Sequence, residues 1–520
     1  MSSLPDHLQA LLYPRAYPHP VRAVELIETH ISWVLLTGKF AYKIKRPVHY
    51  DFIDLRSPAR RRLLCHEELL LNRRFAPQLY LGVRAVRRRR GEARIGGTGP
   101  IIEHAVRMRQ FPRRQELDAL LEARRIEPAA LTAFGRELAA LHQRLPVARA
   151  GQKWGRPAVQ IEGIRHNAAA CARASEALRM PEAAAVRAVQ ARLAAWADAA
   201  EPLLERRFAA GRVRECHGDL HAGNIVRHGA RLLPFDCLDF DPALRWIDVA
   251  DEVAFLVADL EARQRPLHAQ AFLGAYLTAS GDYQACLLLP VFRAHRALVR
   301  AKIMALTAAA AGASTVAARA ARRRYARYLE CAQRALAPQR PKLVLMSGLS
   351  GSGKTWLAER LAPALRAVHV RSDSERKRMA GIAPAARSAS AVAQGLYTRN
   401  VTRAVYDRLA ECAADALAGG YTAIVDATFG VAEDRARFRT LATRLGLDTW
   451  IVYCNAPRKV LERRIRERQR RAGDPSEADV AVLRWQETQF ARPAAREASN
   501  VLDAAELGPR ELARRLAATA

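Results

Sequence analysis

Eight residues constrain the fold of this chain more than any others: Gly348-Leu349-Ser350-Gly351-Ser352-Gly353-Lys354-Thr355, a G-x-x-x-x-G-K-T run. The apolar stretch KLVLMSG leads into it and amphipathic spacing (Trp356, Leu357, Leu361) follows, so the run joins a strand to a helix. Gly348, Gly351 and Gly353 free the backbone to curl its N–H groups, those of Ser350 and Ser352 among them, around phosphate oxygens at a helix N-terminus. Lys354 would reach the β and γ phosphates of a nucleotide, and Thr355 would ligate Mg²⁺. The alternative is a glycine-rich turn without a ligand, against which the flanking strand and helix argue.

Further along, apolar runs at 343–347, 367–371, 422–426 and 449–454 alternate with helical segments. This alternation predicts an α/β domain with a parallel sheet. Val370-Arg371-Ser372-Asp373 ends the second expected strand and Val425-Asp426-Ala427-Thr428 another, which places both carboxylates at the carboxyl edge of the sheet, where ligands bind. Asp373 would accept the proton of an acceptor hydroxyl, and Asp426 would hold the Mg²⁺ shell. Each could instead cap the helix that follows it. Arg464 and Arg468 share a helix face from which they would close over transferring phosphates. The bland alternative is a solvated helix laced with pairs such as Glu462–Arg466.

The first part of the chain has a different pattern. ISWVLLTGKFAYKIK, residues 31–45, holds two β-rich runs separated by Thr37-Gly38-Lys39, which reads as a hairpin. Helical periodicity follows in RRRLLCHEELLLNRR, 113–210 is helix-rich, 213–240 is strand-like, and helices dominate again to about 336. The reading is α+β: a small sheet followed by a mostly helical lobe, with a site at their junction. There, CHGDLHAGNIV (Cys216–Val226) and Leu233-Pro234-Phe235-Asp236 set out H-G-D-x-x-x-x-N with a further Asp beyond it. Phosphoryl transfer needs a carboxylate beside the attacking hydroxyl and metal ligands that neutralise phosphate charge. Asp219 would be the base, and Asn224 and Asp236 the Mg²⁺ ligands. A lysine on the α and β phosphates, held by a helix glutamate, completes such a site. Lys45 is favoured, Lys43 being the alternative on the same strand face, and the partner is Glu68 or its neighbour Glu67. His217 and His221 read as residues that pack and orient the loop, and Asp248 as its anchor.

At 520 residues the chain is too long for one ordinary core. The Pro-punctuated APQRPK divides it into expected domains 1–336 and 343–520 with a linker at 337–342. Eight scattered cysteines without a C-x-x-C pair suggest neither a zinc site nor a disulfide framework. The first residues lack a basic head followed by an apolar stretch, and no run of eighteen apolar residues occurs, so a cytoplasmic chain without membrane attachment is expected. The net charge of +32 invites nucleic acid. Its excess is nearly all Arg, spread through both halves without interleaved aromatic rings, so only non-specific, salt-sensitive binding is expected. Nothing in the pattern sets an oligomeric state.

Residues 342–505 resemble the small P-loop kinases of the gluconate-kinase, zeta-toxin and polynucleotide-kinase-like groups, through GLSGSGKT, VRSDSERKR, VDATF and the Arg-rich run into GDPSEAD. CHGDLHAGNIV resembles the aminoglycoside phosphotransferase-like branch of the protein kinase fold. Residues 25–335 are similar to the N-terminal part of bacterial bifunctional phosphotransferase and ATP-binding proteins, through AYKIKRPVHYDFIDL, FDCLDFDPALRWIDVADEVAFLVADL and RAHRALVRAKI. That family joins the two domains in this order. The resemblance implies a protein-kinase-like domain followed by a P-loop kinase domain, each using ATP and Mg²⁺ to phosphorylate a hydroxyl of a small molecule. Two rivals are a nucleotide-switched regulatory ATPase and a polynucleotide 5′-hydroxyl kinase. Each motif set is complete in itself, so the two sites are expected to act independently.

Overall fold

A computed structural model describes residues 4–50, 53–89, 91–312, 315–382, 398–470, 476–497 and 500–518. Asp51 and Phe52 of the first family-like stretch, and Gly473, Asp474 and Pro475 of GDPSEAD, lie outside the described residues. Cα packing divides the chain into two compact units. One comprises Met1–Ala130, Arg144–Asn167 and Ala194–Asp259, and the other Leu131–Gln143, Ala168–Leu193 and Leu260–Ala520.

The first unit is built on strands β1 (Glu25–Glu28), β2 (Ser32–Leu36), β3 (Phe40–Lys45), a short pair β4 (His49–Tyr50) and β5 (Ile53–Asp54), then β6 (Tyr80–Arg89), β7 (Glu92–Ile95) and β8 (Ile101–Arg109). Six of them form an antiparallel sheet in the order β1-β2-β3-β8-β6-β7. The expected hairpin is β2–β3, turned at Gly38 with φ of +89°, a conformation that glycine adopts without steric cost. Strand alternation then sorts β3 onto two faces. Tyr42 and Ile44 pack with Leu8, Leu11 and Tyr17 from the start of the chain. Ala41 packs on the other face with Cys65 and Leu69 of the helix Pro58–Phe75, and Lys43 and Lys45 share that face by parity. β6–β8 were not legible in the sequence, because Arg84, Arg87, Arg88 and Arg89 obscure the alternation of β6.

A second layer of short strands carries the H-G-D motif. β9 (Val213–Glu215) leads into it, β10 (Ile225–His228) and β11 (Arg231–Pro234) form a hairpin after it, and β12 (Trp246–Asp248) pairs antiparallel with β9.

In the second unit, β13 (Leu343–Ser347), β14 (Val368–Arg371), β15 (Ala423–Asp426), β16 (Thr449–Tyr453) and β17 (Asn500–Asp503) form a sheet in the order β14-β15-β13-β16-β17, with every pair parallel. β13, β15 and β16 are buried throughout, as continuous apolar runs should be when helices cover both sheet faces. β17, which completes the edge, is too short and too mixed to stand out in the sequence. The helices Pro266–Ser280, Leu289–Ala310 and Val316–Leu336 belong to this same compact unit. Residues 337–342 run from the last of these into β13. All eight cysteines are buried with free thiols. Among the described residues, no helix is long and apolar enough to cross a membrane.

Candidate active sites

In the first unit the motif residues form one continuous chain of contacts. Asn224 Nδ2 donates to Asp219 Oδ2 at 2.8 Å. The Asn224 carbonyl accepts the Phe235 N–H at 2.9 Å, which brings Asp236 alongside. Asp236 ion-pairs with Lys43 through Oδ1 and lies in the left-handed region at φ +62°, rare for a residue with a side chain. Its N–H donates to the buried Tyr80 hydroxyl at 3.0 Å. Lys43 Nζ is 2.9 Å from Glu68, whose other oxygen is 2.7 Å from Lys45.

Lys43 and Lys45 therefore share one carboxylate but have different surroundings. Lys45 is sealed in and reaches Asp239, also buried. Lys43 reaches Asp236, whose side chain is 47% exposed. Burial alone would pull both ammonium groups down; the carboxylates around them outweigh it and raise both above the ordinary lysine value. The Glu68 carboxyl, despite its burial, is held below the usual range by the two lysines. The sequence favours Lys45 as the nucleotide lysine with Lys43 as the alternative; of the two, Lys43 is the one paired with a half-exposed carboxylate, and it stands in Ala41-Tyr42-Lys43, which matches the A-x-K of the V-A-I-K kinase strand. Glu67 turns to Arg245 at 2.6 Å, leaving Glu68 as the shared partner.

The loop around Asp219 is fixed from behind. Glu252, fully buried, accepts the backbone N–H groups of His217 and Gly218 at 2.9 and 2.7 Å. His217 Nε2 lies 2.9 Å from the Phe235 carbonyl and its ring meets Phe75 edge-on, while burial pulls its pKa down. His221 Nδ1 accepts the Gly223 N–H at 3.0 Å, and its Nε2 lies 3.5 Å from Asp219. Asp248 pairs with the fully buried Arg207 through two contacts of 2.6 and 2.8 Å and accepts the Ala250 N–H. The histidines thus pack and orient, whereas Asp248 ties β12 to Arg207 of the helix Glu201–Ala209, and the loop itself is held by Glu252. The sequence missed Glu252, although it stands in the WIDVADE run beside Asp248.

In the second unit the glycine-rich loop follows β13. Gly348, Gly351 and Gly353 have φ of +149°, +81° and +97°. A Cβ at Gly348 would lie 2.2 Å from the Cys454 carbonyl oxygen, and one at Gly351 2.7 Å from that of Leu461, so both places admit glycine alone. Lys354 Nζ donates to the carbonyls of Gly348 and Leu349 at 2.7 and 2.9 Å, and burial lowers its pKa. Thr355 Oγ1 donates to Asp426 Oδ2 at 2.6 Å, and His369 Nε2 is 3.3 Å from the same oxygen. Burial pushes the Asp426 carboxyl up, but the His369 hydrogen bond and the nearby positive charges prevail and hold it down at about 2.

A cavity of about 320 Å³ gathers Ser350, Gly351, Gly353, Lys354 and Thr355 with Asp373, Asp426, Arg464 and Arg468. Asp373 sits in the first turn of the helix Ser372–Met379 without capping it, and Asp426 likewise serves Thr355 rather than a helix end. Arg464 donates to the carbonyls of Gly351 and Ser352, both at 3.3 Å, and Arg468 to that of Ala478 at 2.7 Å. Arg466, by contrast, pairs with Glu462 on an exposed face. Ser352 keeps a buried Oγ. Gln486 and His369 were missed by the sequence reading: Gln486 Oε1 accepts the Ser350 N–H at 2.9 Å. Neither lies in a motif, so no sequence signal marked them.

These two sites define a chain of two kinase-like domains, a protein-kinase-like phosphotransferase domain and a P-loop kinase-like domain. Residues 53–289 match the phosphotransferase enzyme family, and residues 343–493 match an AAA domain family. An uncharacterised protein of Mycobacterium tuberculosis is 30% identical over 496 residues, which cover 95% of each chain, and one of Mycobacterium bovis matches equally. The chain belongs to their family, in which an aminoglycoside-phosphotransferase-like domain and a P-loop kinase-like domain stand on one polypeptide. Among solved structures, it is similar to a choline/ethanolamine kinase family protein from Mesorhizobium loti (12% identity, 63% of this chain and 98% of that one, TM-score 0.31). It is also similar to a gluconokinase from Sinorhizobium meliloti (19%, 35% and 91%, TM-score 0.25).

Proposed function

We propose that the chain is a bifunctional, cytoplasmic kinase in which residues 1–336 and 343–520 each transfer the γ-phosphoryl group of ATP to a hydroxyl of a small molecule. The observation that carries this reading is that each compact unit gathers a complete set: Asp219, Asn224, Asp236, Lys43 and Glu68 in one, and Lys354, Thr355, Asp373, Asp426, Arg464 and Arg468 in the other. Asn224 and Asp236 offer oxygen ligands, as do Thr355 and Asp426, and such donors suit a hard cation such as Mg²⁺. When bound, that ion would neutralise charge on the nucleotide phosphates.

In the first site Asp219 accepts the proton of the acceptor hydroxyl as its oxygen bonds the γ-phosphorus. The bond from that phosphorus to the β–γ bridging oxygen breaks, and ADP leaves. Lys43 meets the phosphates, with Glu68 holding its ammonium in place. The half-buried Leu36, Phe111 and Phe235 beside Ala41 and Met108 supply an apolar surface for the base. In the second site the loop N–H groups and Lys354 hold the phosphates, Arg464 and Arg468 offset charge on the transferring group, and Asp373 takes the proton. Nucleic acid binds only non-specifically under this reading, through the arginine excess, and releases as salt rises.

The test is a comparison of wild type, Asp219→Ala, Lys354→Ala and the double variant against a panel of small hydroxyl compounds at saturating MgATP. Each single variant is expected to lower turnover at its own site by about 10²-fold or more. The other site should change less than about threefold, a coupling below roughly 0.7 kcal/mol. Loss of both activities in Lys354→Ala would replace this reading with a nucleotide switch. Transfer to an oligonucleotide 5′ end that persists at physiological salt would replace it with a polynucleotide kinase.

A further inference from the structure

The helix Ser372–Met379, whose first turn carries Asp373, is held at its far end by a device that the phosphoryl-transfer reading does not require. The helix Pro266–Ser280 ends in Gly281, at φ +65°. A helix end leaves carbonyls without intrahelical partners and carries partial negative charge. Arg378 fills that need, donating to the carbonyls of Thr278 and Ala279 at 2.5 and 3.1 Å. Arg408, from the helix Arg399–Ala418, donates to the Gly281 carbonyl at 3.0 Å. Glu375, fully buried, accepts from Nε of both arginines and fixes their planes. A Cβ at Gly281 would lie 2.3 Å from Arg378 Nε, so the glycine leaves the room that the guanidinium occupies.

The fastening continues on both sides. Gln270 donates to the Ala367 carbonyl just before β14, and a Cβ at Gly419 would lie 2.2 Å from the Cys286 carbonyl oxygen. On the same helix as Asp373, Lys377 is 3.0 Å from Glu477, beside the Ala478 carbonyl that receives Arg468. All of these residues lie in one compact unit, yet 266–287 falls within the stretch that matches the phosphotransferase family.

We propose that Arg378 is a positioning residue for Asp373: by tying the helix Ser372–Met379 to the last turn of Pro266–Ser280, it makes transfer at the P-loop site depend on a segment of the phosphotransferase match. The inference rests on Asp373 being the base of that site. A base displaced by as little as 1 Å loses on the order of 10²-fold in rate, whereas the phosphate loop, on β13, is left in place.

The test uses the full chain with Asp219→Ala to silence the first site, and follows MgATP turnover with water as the acceptor. Asp373→Asn sets the reference. Arg378→Ala is expected to lower kcat about tenfold or more with the KM for MgATP changed less than about twofold, and to leave the Asp373→Asn variant no slower when combined with it. Millimolar guanidinium chloride, but not equal sodium chloride, should restore part of the loss, and amides of 372–379 should exchange faster while those of 343–347 do not. Arg378→Lys, which keeps the charge but not the two-pronged contact, should fold and fall between wild type and Arg378→Ala, and it serves if the alanine variant misfolds. Turnover lowered by Asp373→Asn but untouched by either Arg378 variant overturns the inference alone. Turnover unaffected by Asp373→Asn overturns the base assignment and the inference with it.

Discussion

Replacing Lys43 and Lys45 separately by Met, which keeps the length of the side chain and removes its charge, should separate catalysis from stability. Lys45 is fully enclosed, 2.7 Å from Glu68 and in contact with Asp239, and both carboxylates are buried. Removing one partner of a buried ion pair costs about 3–5 kcal/mol; Glu68 keeps Lys43 here, and it is the buried Asp239 that loses its ion-pair partner. At roughly 2–4 °C per kcal/mol for a domain of ~150–250 residues, Lys45→Met should lower Tm by roughly 6–20 °C. Lys43→Met leaves Glu68 with Lys45, and Asp236, 47% exposed, remains hydrated. Its stability cost should be about 1 kcal/mol or less. First-site turnover should nevertheless fall about 10²-fold or more, because the charge directed at the phosphates is gone. Thermal unfolding of both variants, with turnover measured in a Lys354→Ala background, gives the answer. A Lys43→Met protein that keeps turnover within about threefold, beside a Lys45→Met protein that loses turnover at unchanged Tm, would refute the reasoning and restore Lys45 as the nucleotide lysine.

Burial pushes the Glu116 carboxyl up to about 7 against the opposing pull of Arg113, so its protonated form favours the folded state. That contribution is complete below the unfolded value of about 4.3 and is lost as pH rises through about 7. Glu116→Gln should therefore gain Tm over wild type progressively from pH 5 to 8, and a constant difference would contradict the assignment. Asp248→Ala removes the buried ion pair of Arg207 and should cost about 3–5 kcal/mol in denaturant unfolding. Asp241→Ala, which removes only a cap on the Ala243 N–H, should cost about 1 kcal/mol, and equal losses would mean that the Arg207 pair is not an anchor.

Much of this architecture is written locally. The phosphate loop is legible because its spacing and its flanking strand and helix all lie within a few residues. The parallel sheet follows because β13, β15 and β16 are buried on both faces and so read as unbroken apolar runs. The β2–β3 hairpin and the H-G-D-x-x-x-x-N loop are local in the same sense. Strand β6 was hidden because Arg84, Arg87, Arg88 and Arg89 mask a period of two, and β17 because four residues at a sheet edge carry too little pattern.

What the sequence determined is the set of chemically capable residues and the kind of strand or loop that bears each one. What only the tertiary structure decided is how they share partners. Strand parity put Lys43 and Lys45 on one face, but the approach of the half-exposed Asp236 to one and the buried Asp239 to the other separates a lysine near solvent from an enclosed one. Gln486 on the phosphate loop, His369 on Asp426 and Arg378 on the carbonyls of Thr278 and Ala279 are likewise contacts between distant stretches of chain. Local spacing cannot encode them, because each depends on where packing brings two separately formed elements to rest.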